Sequence, residues 1–376
     1  MGDALFAFAV SFFACAAIVR AERTLAIGLD AGGGGPQKFH AGAVPRVGGI
    51  AMLAGIASVP LFLPSREAAF LLTLLLAAAA PAFIGGLAED ITRRVSPAQR
   101  LYAAFAAAAL GFLLLDARVT DLEIPGTGPL LGFALCSFLF TLLTVAGFSH
   151  ALNIVDGFNG LSSMVVLLML VGLGVVAYQV NDEPVLAAAL VIGGAVLGFL
   201  AWNYPKGLIF AGDGGAYLLG FLTAELAVLL AHRNSEVSAW FPAVLLLYPV
   251  VETVFSIYRK KVLRGQSPGE PDGIHLHMLI HKRLVRQPRG AKWKMNALTT
   301  PYLVALSALT VLPGAVFWSH TLALIVIVIG FIAVYLWLYW AIVRFKTPKF
   351  MVLRRARFAP EHAQGEAEAK LGQEGI

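Results

Sequence analysis

Aspartate and asparagine residues flanked by glycines stand next to several apolar segments of this 376-residue sequence. The clearest example is Asp213, which lies between glycines immediately before an apolar run. A residue of this type at the start of a helix is typical of an N-cap. It is also a hard oxygen ligand, and Mg²⁺ in proteins is often held by one or two carboxylates together with substrate phosphates. We therefore expect Asp213 to be an N-cap, a metal ligand, or both.

The segment NIVDGFNG places Asn153, Asp156 and Asn159 three residues apart, at the junction of two apolar runs. In a helical turn this spacing puts the three side chains on one face, and the glycines allow tight turns and close approach of a ligand. An Asx-rich turn between helices is the alternative. We favour a functional site, because three such groups on one face are unusual at the edge of an apolar segment.

Two adjacent acids, Glu89 and Asp90, end another apolar run and are followed by Arg93 and Arg94. The mutual repulsion of the acids is relieved either by a divalent cation or by basic partners. A solvated helix end that pairs with the two arginines explains these residues equally well.

Basic residues and a glycine pair precede the second apolar run, in the segments PQKFH and PRVGG. The backbone N–H groups of Gly48 and Gly49 at a helix start would approach an anion closely, and Lys38 and Arg46 would add positive charge. Glycine pairs at helix ends are more often packing devices, and packing is the favoured explanation of this pair taken alone.

Three histidines, His275, His277 and His281, lie in or beside a long polar loop with Arg283 nearby. Their spacing fits no structural zinc pattern, and no cysteine is near them. Histidines over a phosphate site donate hydrogen bonds or carry protons, and we favour that role for this basic loop. An amphipathic helix lying on the membrane surface is a compatible alternative.

The elements that must position these residues are membrane helices. The chain is 59% hydrophobic and 13% charged, whereas soluble domains carry about 25% charged residues. Its apolar runs are about 20 residues long, enough to cross a hydrocarbon core of ~30 Å. We predict an all-α polytopic transmembrane bundle, one catalytic domain over 1–343 and a polar tail over 344–376. Eleven spans are predicted, near 4–20, 47–64, 67–87, 99–116, 129–148, 161–179, 185–202, 215–232, 239–258, 298–318 and 321–343.

Lysine and arginine are divided unevenly between the two sides of this predicted bundle. One side holds 25 of the 28, including those of the tail. The positive-inside rule makes that side cytoplasmic, with the N-terminus outside and the C-terminus in the cytoplasm. Every motif above falls in its loops, near 21–46, 88–98, 149–160, 203–214 and 259–297. The net charge of +6 therefore requires no nucleic acid, and it suits anionic lipids or phosphate-bearing substrates.

The ordered series PRVGG, GLAED, NIVDGFNGL, FAGDGG and SPGEPDGIHLH resembles the polyprenyl-phosphate N-acetylhexosamine-1-phosphate transferases, from about Pro36 to Arg286. It is more similar to the branch that transfers GlcNAc-phosphate and initiates O-antigen than to the peptidoglycan branch. The resemblance implies an enzyme of the bacterial plasma membrane with its active site facing the cytoplasm. A polyprenyl phosphate would attack the β-phosphate of a UDP-N-acetylhexosamine such as UDP-N-acetylglucosamine and release UMP. Mg²⁺ would be required, with Mn²⁺ as a substitute, and a homodimer is left open.

The resemblance also implies roles for individual residues. Asp213 falls on the metal-binding aspartate of the family, and Glu89 and Asp90 fall on paired acids that handle the lipid phosphate or its proton. Asp156 falls on an acid that lies close to the nucleotide and the metal. His275 and His277 fall on the histidine loop of the family, which contacts the phosphates of the sugar nucleotide. The residues expected to be catalytic are Asp90, Glu89, Asp156, His275 and His277, and those expected to bind substrate are Lys38, Arg46, Gly48, Gly49, Asn153, Asn159 and Arg283. The sequence departs from the family pattern at Glu89 (usually Asp), at Asn159 (usually an acid) and at Met278 (usually His).

A membrane transporter, or another lipid-phosphate-binding membrane protein without transferase activity, is the alternative. Transporters place charged residues and broken helices near the bilayer midplane and often contain inverted repeats. Here the acids gather toward one face, and only Glu225 is central. Glu225 and Glu252 lie inside predicted spans, where an acid is either functional or protonated and hydrogen-bonded to a neighbouring helix.

Overall fold

The computed structural model describes residues 2–25, 29–31, 43–265, 273–285, 296–348 and 351–352. Within these ranges the chain is mostly helical, and a short antiparallel pair of strands joins Leu29–Ala31 to Ala43–Pro45. The helices are α1 Gly2–Leu25, α2 Gly48–Ala57, α3 Arg66–Thr92, α4 Pro97–Leu114, α5 Thr127–Leu131, α6 Ala134–Val155, α7 Leu161–Gln179, α8 Glu183–Asn203, α9 Gly212–Arg233, α10 Trp240–Leu245, α11 Leu247–Tyr258, α12 Leu276–Ile280, α13 Thr300–Val316 and α14 Thr321–Val343, with π-helical turns at Arg259–Leu263 and His281–Val285.

Eight of the described helices are long and apolar enough to cross a membrane: α1, α3, α4, α6, α7, α8, α9 and α14. The predicted class, a helical membrane bundle, is confirmed, whereas the number of eleven spans and the orientation stay predictions. Three predicted spans are shorter than expected. The tenth is the 17-residue helix α13. The second is only the ten-residue helix α2. The ninth is divided at Leu246 into α10 and α11, because Pro249 has no N–H to donate to the preceding turn.

Helix α9 is the centre of the bundle. Every residue from Gly212 to Leu230 is buried, and the helix contacts α2, α3, α4, α6, α7, α8 and α10. A helix that is apolar on all sides satisfies its backbone internally and can therefore be enclosed by other helices. The two ends of α9 differ in chemistry. Its first residues carry the motif GDGG, and Arg233 at its last residue bonds to Glu67 and Asp182.

The turn between α3 and α4 is fixed by local hydrogen bonds. Arg93 ends α3 in the left-handed conformation, and its N–H donates to the carbonyl of Glu89. The side chain of Glu89 accepts from the N–H of Val95 at 2.8 Å. Helix α4 then begins with Pro97 in its first turn and a capping box between Ser96 and Gln99, a combination that defines a helix start closely. This turn brings the first turn of α4 beside the start of α9.

Candidate active site

Asp90, at the end of α3, caps the start of α9. Its two carboxylate oxygens accept from the N–H groups of Asp213 at 2.9 Å and Gly214 at 2.8 Å. Asp90 is only 2% exposed. An anion at a helix N-terminus satisfies unpaired N–H groups and interacts favourably with the helix dipole. Both oxygens of Asp90 are therefore engaged in holding α9.

The side chain of Asp213 lies among three donors from three other segments. Its Oδ1 accepts from Arg46 at 3.3 Å and from the amide of Asn153 at 3.1 Å. Its Oδ2 forms an ion pair with Arg100 of α4. Arg46 is also 3.7 Å from Asp90. The structure thus brings together four residues predicted or implied from sequence, together with Arg100.

Asp213 is not the N-cap of its helix. Helix α9 begins at Gly212 with Ala211 as N-cap, so Asp213 stands in the first turn with its side chain free to meet Arg46 and Arg100. Gly212 has a φ of +72°, a conformation that glycine adopts without steric cost. The cap that we expected from Asp213 is supplied by Asp90 of another helix.

The glycine pair Gly48-Gly49 joins α2 to the start of α9. Gly48 N donates to Phe210 O and Gly49 N to Ala211 O, both at 2.9 Å. A Cβ on Gly49 would lie 2.5 Å from the backbone N of Gly215. These two amides are therefore not available to an anion, and close packing explains both glycines. The expectation that they approach an anion is wrong for this arrangement.

The segment NIVDGFNG does not form one helical face. Helix α6 ends at Val155, so Asp156 and Asn159 leave the helical path. Asn153 points to Asp213, whereas Asn159 is buried and donates its backbone N–H to Asn296 at 2.7 Å and its side-chain amide to Pro205 O at 2.9 Å. The predicted common face is wrong, because the helix stops between the first and second members.

Asp156 follows the last residue of α6 and is half-buried. It accepts a hydrogen bond from Ser162 Oγ at 2.6 Å. Burial raises the pKa of this carboxyl above its usual range, while the Ser162 hydroxyl and the charge of Arg46 act in the opposite direction. Arg46 therefore acts electrostatically on Asp156 as well as on Asp90 and Asp213.

The histidine loop lies beside the segment that follows α6. His275 Nδ1 is 3.1 Å from Glu252 Oε1, and the rings of His275 and His277 stack with centroids 5.2 Å apart. A Cβ on Gly157 would lie 3.6 Å from His277 Nε2, which brings His277 next to the segment of Asp156. Burial lowers the pKa of His277 to about 3, so its ring is neutral.

Three further predicted residues stand elsewhere or lie outside the described residues. Glu89 is engaged with Val95 in the α3–α4 turn. Arg283 donates to the carbonyl oxygens of Ile342 and Val343 at the end of α14, a common position for a cation. Lys38 lies outside the described residues. The proposed roles of Glu89, Arg283 and Lys38 stay predictions.

Sequence reasoning missed Arg100 and the pair His150–Tyr217 as members of the site. Tyr217 follows Asp213 by four residues in α9, and His150 precedes Asn153 by three residues in α6. Both spacings place side chains on one helix face. The structure accordingly has two successive contacts between α6 and α9, Asn153–Asp213 and His150–Tyr217, the latter at 2.6 Å. Helical spacing was an available signal for this pair, whereas nothing in the sequence singled out Arg100.

The acidic residues of the site leave one carboxylate available to a divalent cation. In the described ranges no group of three or more His, Cys, Asp or Glu side chains gathers as a ready metal site. Asp90 is engaged with backbone donors, which leaves Asp213 as the carboxylate that can exchange its partners. Mg²⁺ commonly takes one or two carboxylates and completes its shell with phosphate oxygens and water. The donor set therefore fits Mg²⁺ that is bound together with a phosphate-bearing ligand.

Comparison with known proteins agrees with the resemblance found in the sequence motifs. Over 304 residues the chain is 25% identical to the probable undecaprenyl-phosphate N-acetylglucosaminyl 1-phosphate transferase of Bacillus subtilis, covering 78% of this chain and 80% of that protein. It is 28% identical over 173 residues to the phospho-N-acetylmuramoyl-pentapeptide-transferase of Streptococcus agalactiae, covering 46% of this chain and 52% of that protein. It is 30% identical over 166 residues to the transferase of that name from Streptococcus equi, covering 48% of that protein. The chain thus spans about half the length of these streptococcal relatives.

A family model, that of glycosyl transferase family 4, matches residues 72–231. The match begins within α3 and ends within α9, so it contains Asp90, Arg100, Asn153, Asp156 and Asp213. The resemblance expected from the motifs is confirmed over residues 72–231, the part of this chain that matches the model of glycosyl transferase family 4.

Proposed function

We propose that this protein transfers N-acetylhexosamine-1-phosphate from a UDP-sugar to a polyprenyl phosphate and releases UMP. The observation that carries the proposal is the position of Asp213 between Arg46 and Arg100, at the capped start of the central helix. The relative from Bacillus subtilis, named as a probable transferase acting on undecaprenyl phosphate, supports the same reaction. UDP-N-acetylglucosamine is the first sugar nucleotide to test, and a product feeding O-antigen synthesis is the corresponding expectation.

Phosphoryl transfer between two polyanions requires positioning and charge neutralisation more than covalent chemistry. Arg46 and Arg100 are bound to Asp213 and can turn from it to the oxygens of a diphosphate. Arginine suits this exchange because its planar guanidinium binds phosphate through two parallel hydrogen bonds. The neutral amide of Asn153 holds Asp213 in place while Arg46 and Arg100 exchange Asp213 for the diphosphate.

Mg²⁺, when bound to Asp213 and a diphosphate, would neutralise the charge that develops on the phosphate oxygens. Asp90 keeps the backbone of Asp213 in place through its two hydrogen bonds. Asp156 and the histidine loop flank the same region, where they would orient the substrates. Asp90 thus has a positioning role, and the lipid-phosphate role implied by the resemblance stays a prediction.

The proposed site is accessible to both substrates if it faces the cytoplasm at the membrane boundary. Arg46 lies just before α2, and the other residues of the cluster lie at the ends of α3 and α6 and at the starts of α4 and α9. Arg233 and Arg118, two of the three cations that the charge distribution assigns to the outer side, lie at the opposite ends of α9 and α4. A soluble nucleotide sugar and a lipid phosphate would meet at such a boundary in a bacterial plasma membrane.

The test uses membranes from cells that express the full chain. They are supplied with labelled UDP-GlcNAc, UDP-GalNAc or 6-deoxy analogues, each with and without polyprenyl phosphate, and with Mg²⁺, Mn²⁺ or chelator. UMP and a lipid-soluble labelled product are expected only when the lipid phosphate and a divalent cation are both present. Absence of product with the whole panel would overturn the proposal. Uptake of labelled nucleotide sugar into sealed vesicles without lipid phosphate would support a transporter instead.

A further inference from the structure

Glu252 of α11 is a buried acid, 1% exposed, that the proposed reaction does not use directly. Its Oε1 accepts from the N–H of Leu276 at 2.9 Å and lies 3.1 Å from Nδ1 of His275. These bonds cross 24 and 23 residues of chain. One carboxylate oxygen therefore binds both the backbone and the first ring of the histidine loop to α11.

The loop is also held from its other side. Tyr339 of α14 donates from its hydroxyl to the carbonyl of Ile274 at 3.3 Å, and Arg259 donates to the same hydroxyl at 3.0 Å. The residue before His275 is thus bound to α14 while the residue after it is bound to α11. The ring of His275 has little freedom to turn away from Glu252.

Next to this tether stands an array of buried polar atoms without hydrogen-bond partners among the described residues. It comprises both ring nitrogens of His277 and the hydroxyl of Tyr248, while the hydroxyl of Tyr335 interacts with Glu252. His277 is fully buried, and its ring stacks on that of His275 with an interplanar angle of 9°. Buried polar groups are nearly always paired, so unpaired ones require an explanation such as a ligand or a catalytic role.

On the basis of the function proposed above, we infer that Glu252 is the positioning residue of the histidine loop. It fixes the His275 tautomer with hydrogen on Nδ1, so that Nε2 is the acceptor, and it aligns His277 by stacking. His277 lies beside Gly157, the residue that follows Asp156. Its ring N–H then donates a hydrogen bond to a phosphate of the sugar nucleotide. Orientation of one histidine nitrogen by a carboxylate on the other is a common means of setting the tautomer.

Two substitutions separate the charge of Glu252 from its role as a hydrogen-bond acceptor. Glu252→Gln keeps a side-chain oxygen that accepts from Leu276 N–H and His275 Nδ1–H, whereas Glu252→Ala removes it. We expect Glu252→Gln to stay within a few-fold of the parent protein. Glu252→Ala should lower kcat/KM for the UDP-sugar by about 10²-fold, the usual effect of misplacing a reacting or binding group by about 1 Å. The KM for polyprenyl phosphate should change little in either variant.

A second measurement does not depend on turnover. In full-length protein labelled with ¹⁵N-histidine and held in detergent, His275 should give the signals of a ring protonated on Nδ1, and Glu252→Ala should remove them. Glu225→Gln is the matched control, because Glu225 is a fully buried acid on α9 for which the inference assigns no role. It should leave the histidine signals unchanged.

The outcomes distinguish the two proposals. If the parent protein is inactive with every sugar nucleotide but Glu252→Ala still removes the His275 signal, the proposed function fails and the positioning role stands. If the parent protein is active and Glu252→Ala keeps both the parent KM for UDP-sugar and the histidine signals, the positioning role is overturned. The positioning role is also overturned if Glu252→Ala loses activity, changes the KM for UDP-sugar and the KM for polyprenyl phosphate equally, and lowers the melting temperature. That pattern indicates general unfolding.

Discussion

The carboxylate of Asp90 accepts hydrogen bonds from the backbone N–H groups of Asp213 and Gly214, although Asp90 and Asp213 are 123 residues apart. One acid of the site therefore holds the backbone that carries the other. The two aspartates have different environments and should respond differently to removal of the charge.

Asp90→Asn replaces one of the two acceptor oxygens with an amide group that cannot accept from Gly214 or Asp213. We expect the unfolding free energy to fall by about 1–3 kcal/mol, the usual effect of leaving a buried donor without a partner, together with loss of transferase activity. Thermal unfolding in detergent and the UMP assay measure the two effects. Asp90→Asn with the parent melting temperature would contradict the capping role.

Asp213→Asn should abolish turnover and leave the melting temperature of the ligand-free protein close to that of the parent. The side chain contacts Arg46, Arg100 and Asn153 rather than backbone donors, so α9 keeps its cap from Asp90. The variant should also lose the stabilisation that Mg²⁺ and UMP together give to the parent in a thermal-shift assay. Normal activity in this variant would remove Asp213 from the site.

Arg100→Gln should lower kcat/KM by about 10²–10³-fold, the effect of removing one donor that stabilises developing charge. Arg118→Gln provides the matched control, since Arg118 pairs with Asp116 at the opposite end of the same helix region. The control should remain close to the parent. Equal losses in the two variants would indicate a nonspecific effect of removing an ion pair.

The raised pKa of Asp156 predicts a pH dependence. Its folded pKa lies above the unfolded value, so its protonated form contributes stability that is lost as pH rises through the folded pKa. If ionised Asp156 is required for turnover, the acidic limb of kcat/KM follows this pKa. Ser162→Ala removes the hydrogen bond that favours the carboxylate, so the acidic limb should move to higher pH. An unchanged limb would exclude Asp156 as the controlling group.

Gly49→Ala should lower the melting temperature and the activity together, because the added Cβ would lie 2.5 Å from the backbone of Gly215 and would push α2 away from α9. Gly147→Ala is the control, since a Cβ on Gly147 in α6 would meet no atom within 4 Å. The control should leave melting temperature and activity near those of the parent. Equal tolerance of both substitutions would contradict the packing role of Gly49.

Hydropathy and charge predicted the helical class, because each apolar run of about 20 residues must satisfy its own backbone in lipid. The number of eleven spans stays a prediction, and the helices within some of these spans are shorter than hydropathy indicated. The predicted ninth span contains Pro249, which interrupts the helix, and the helix of the predicted second span ends at Ala57. Both departures depend on local backbone geometry that hydropathy does not report.

The sequence predicted which residue types would matter better than it predicted their contacts. Asp90, Asp213 and Arg46 meet as a cluster, but the division of roles between the two aspartates depends on the antiparallel packing of α3 on α9. The position of Arg100 depends on the turn fixed by Ser96 and Glu89. Asn153 and Asn159 were expected on one helix face. Because helix α6 ends at Val155, between these two residues, they bind different partners.

The ion pairs of Asp213 determine which solutes the site can attract. A free cation gains little at a carboxylate whose charge two arginines already balance, and a free anion gains little at arginines that are already paired. A ligand that carries both signs, as a metal–diphosphate complex does, can replace both partners in one exchange. If the proposed function holds, we expect the cluster to bind the paired ligand and to bind inorganic phosphate or unbound cations from the surrounding solution only weakly.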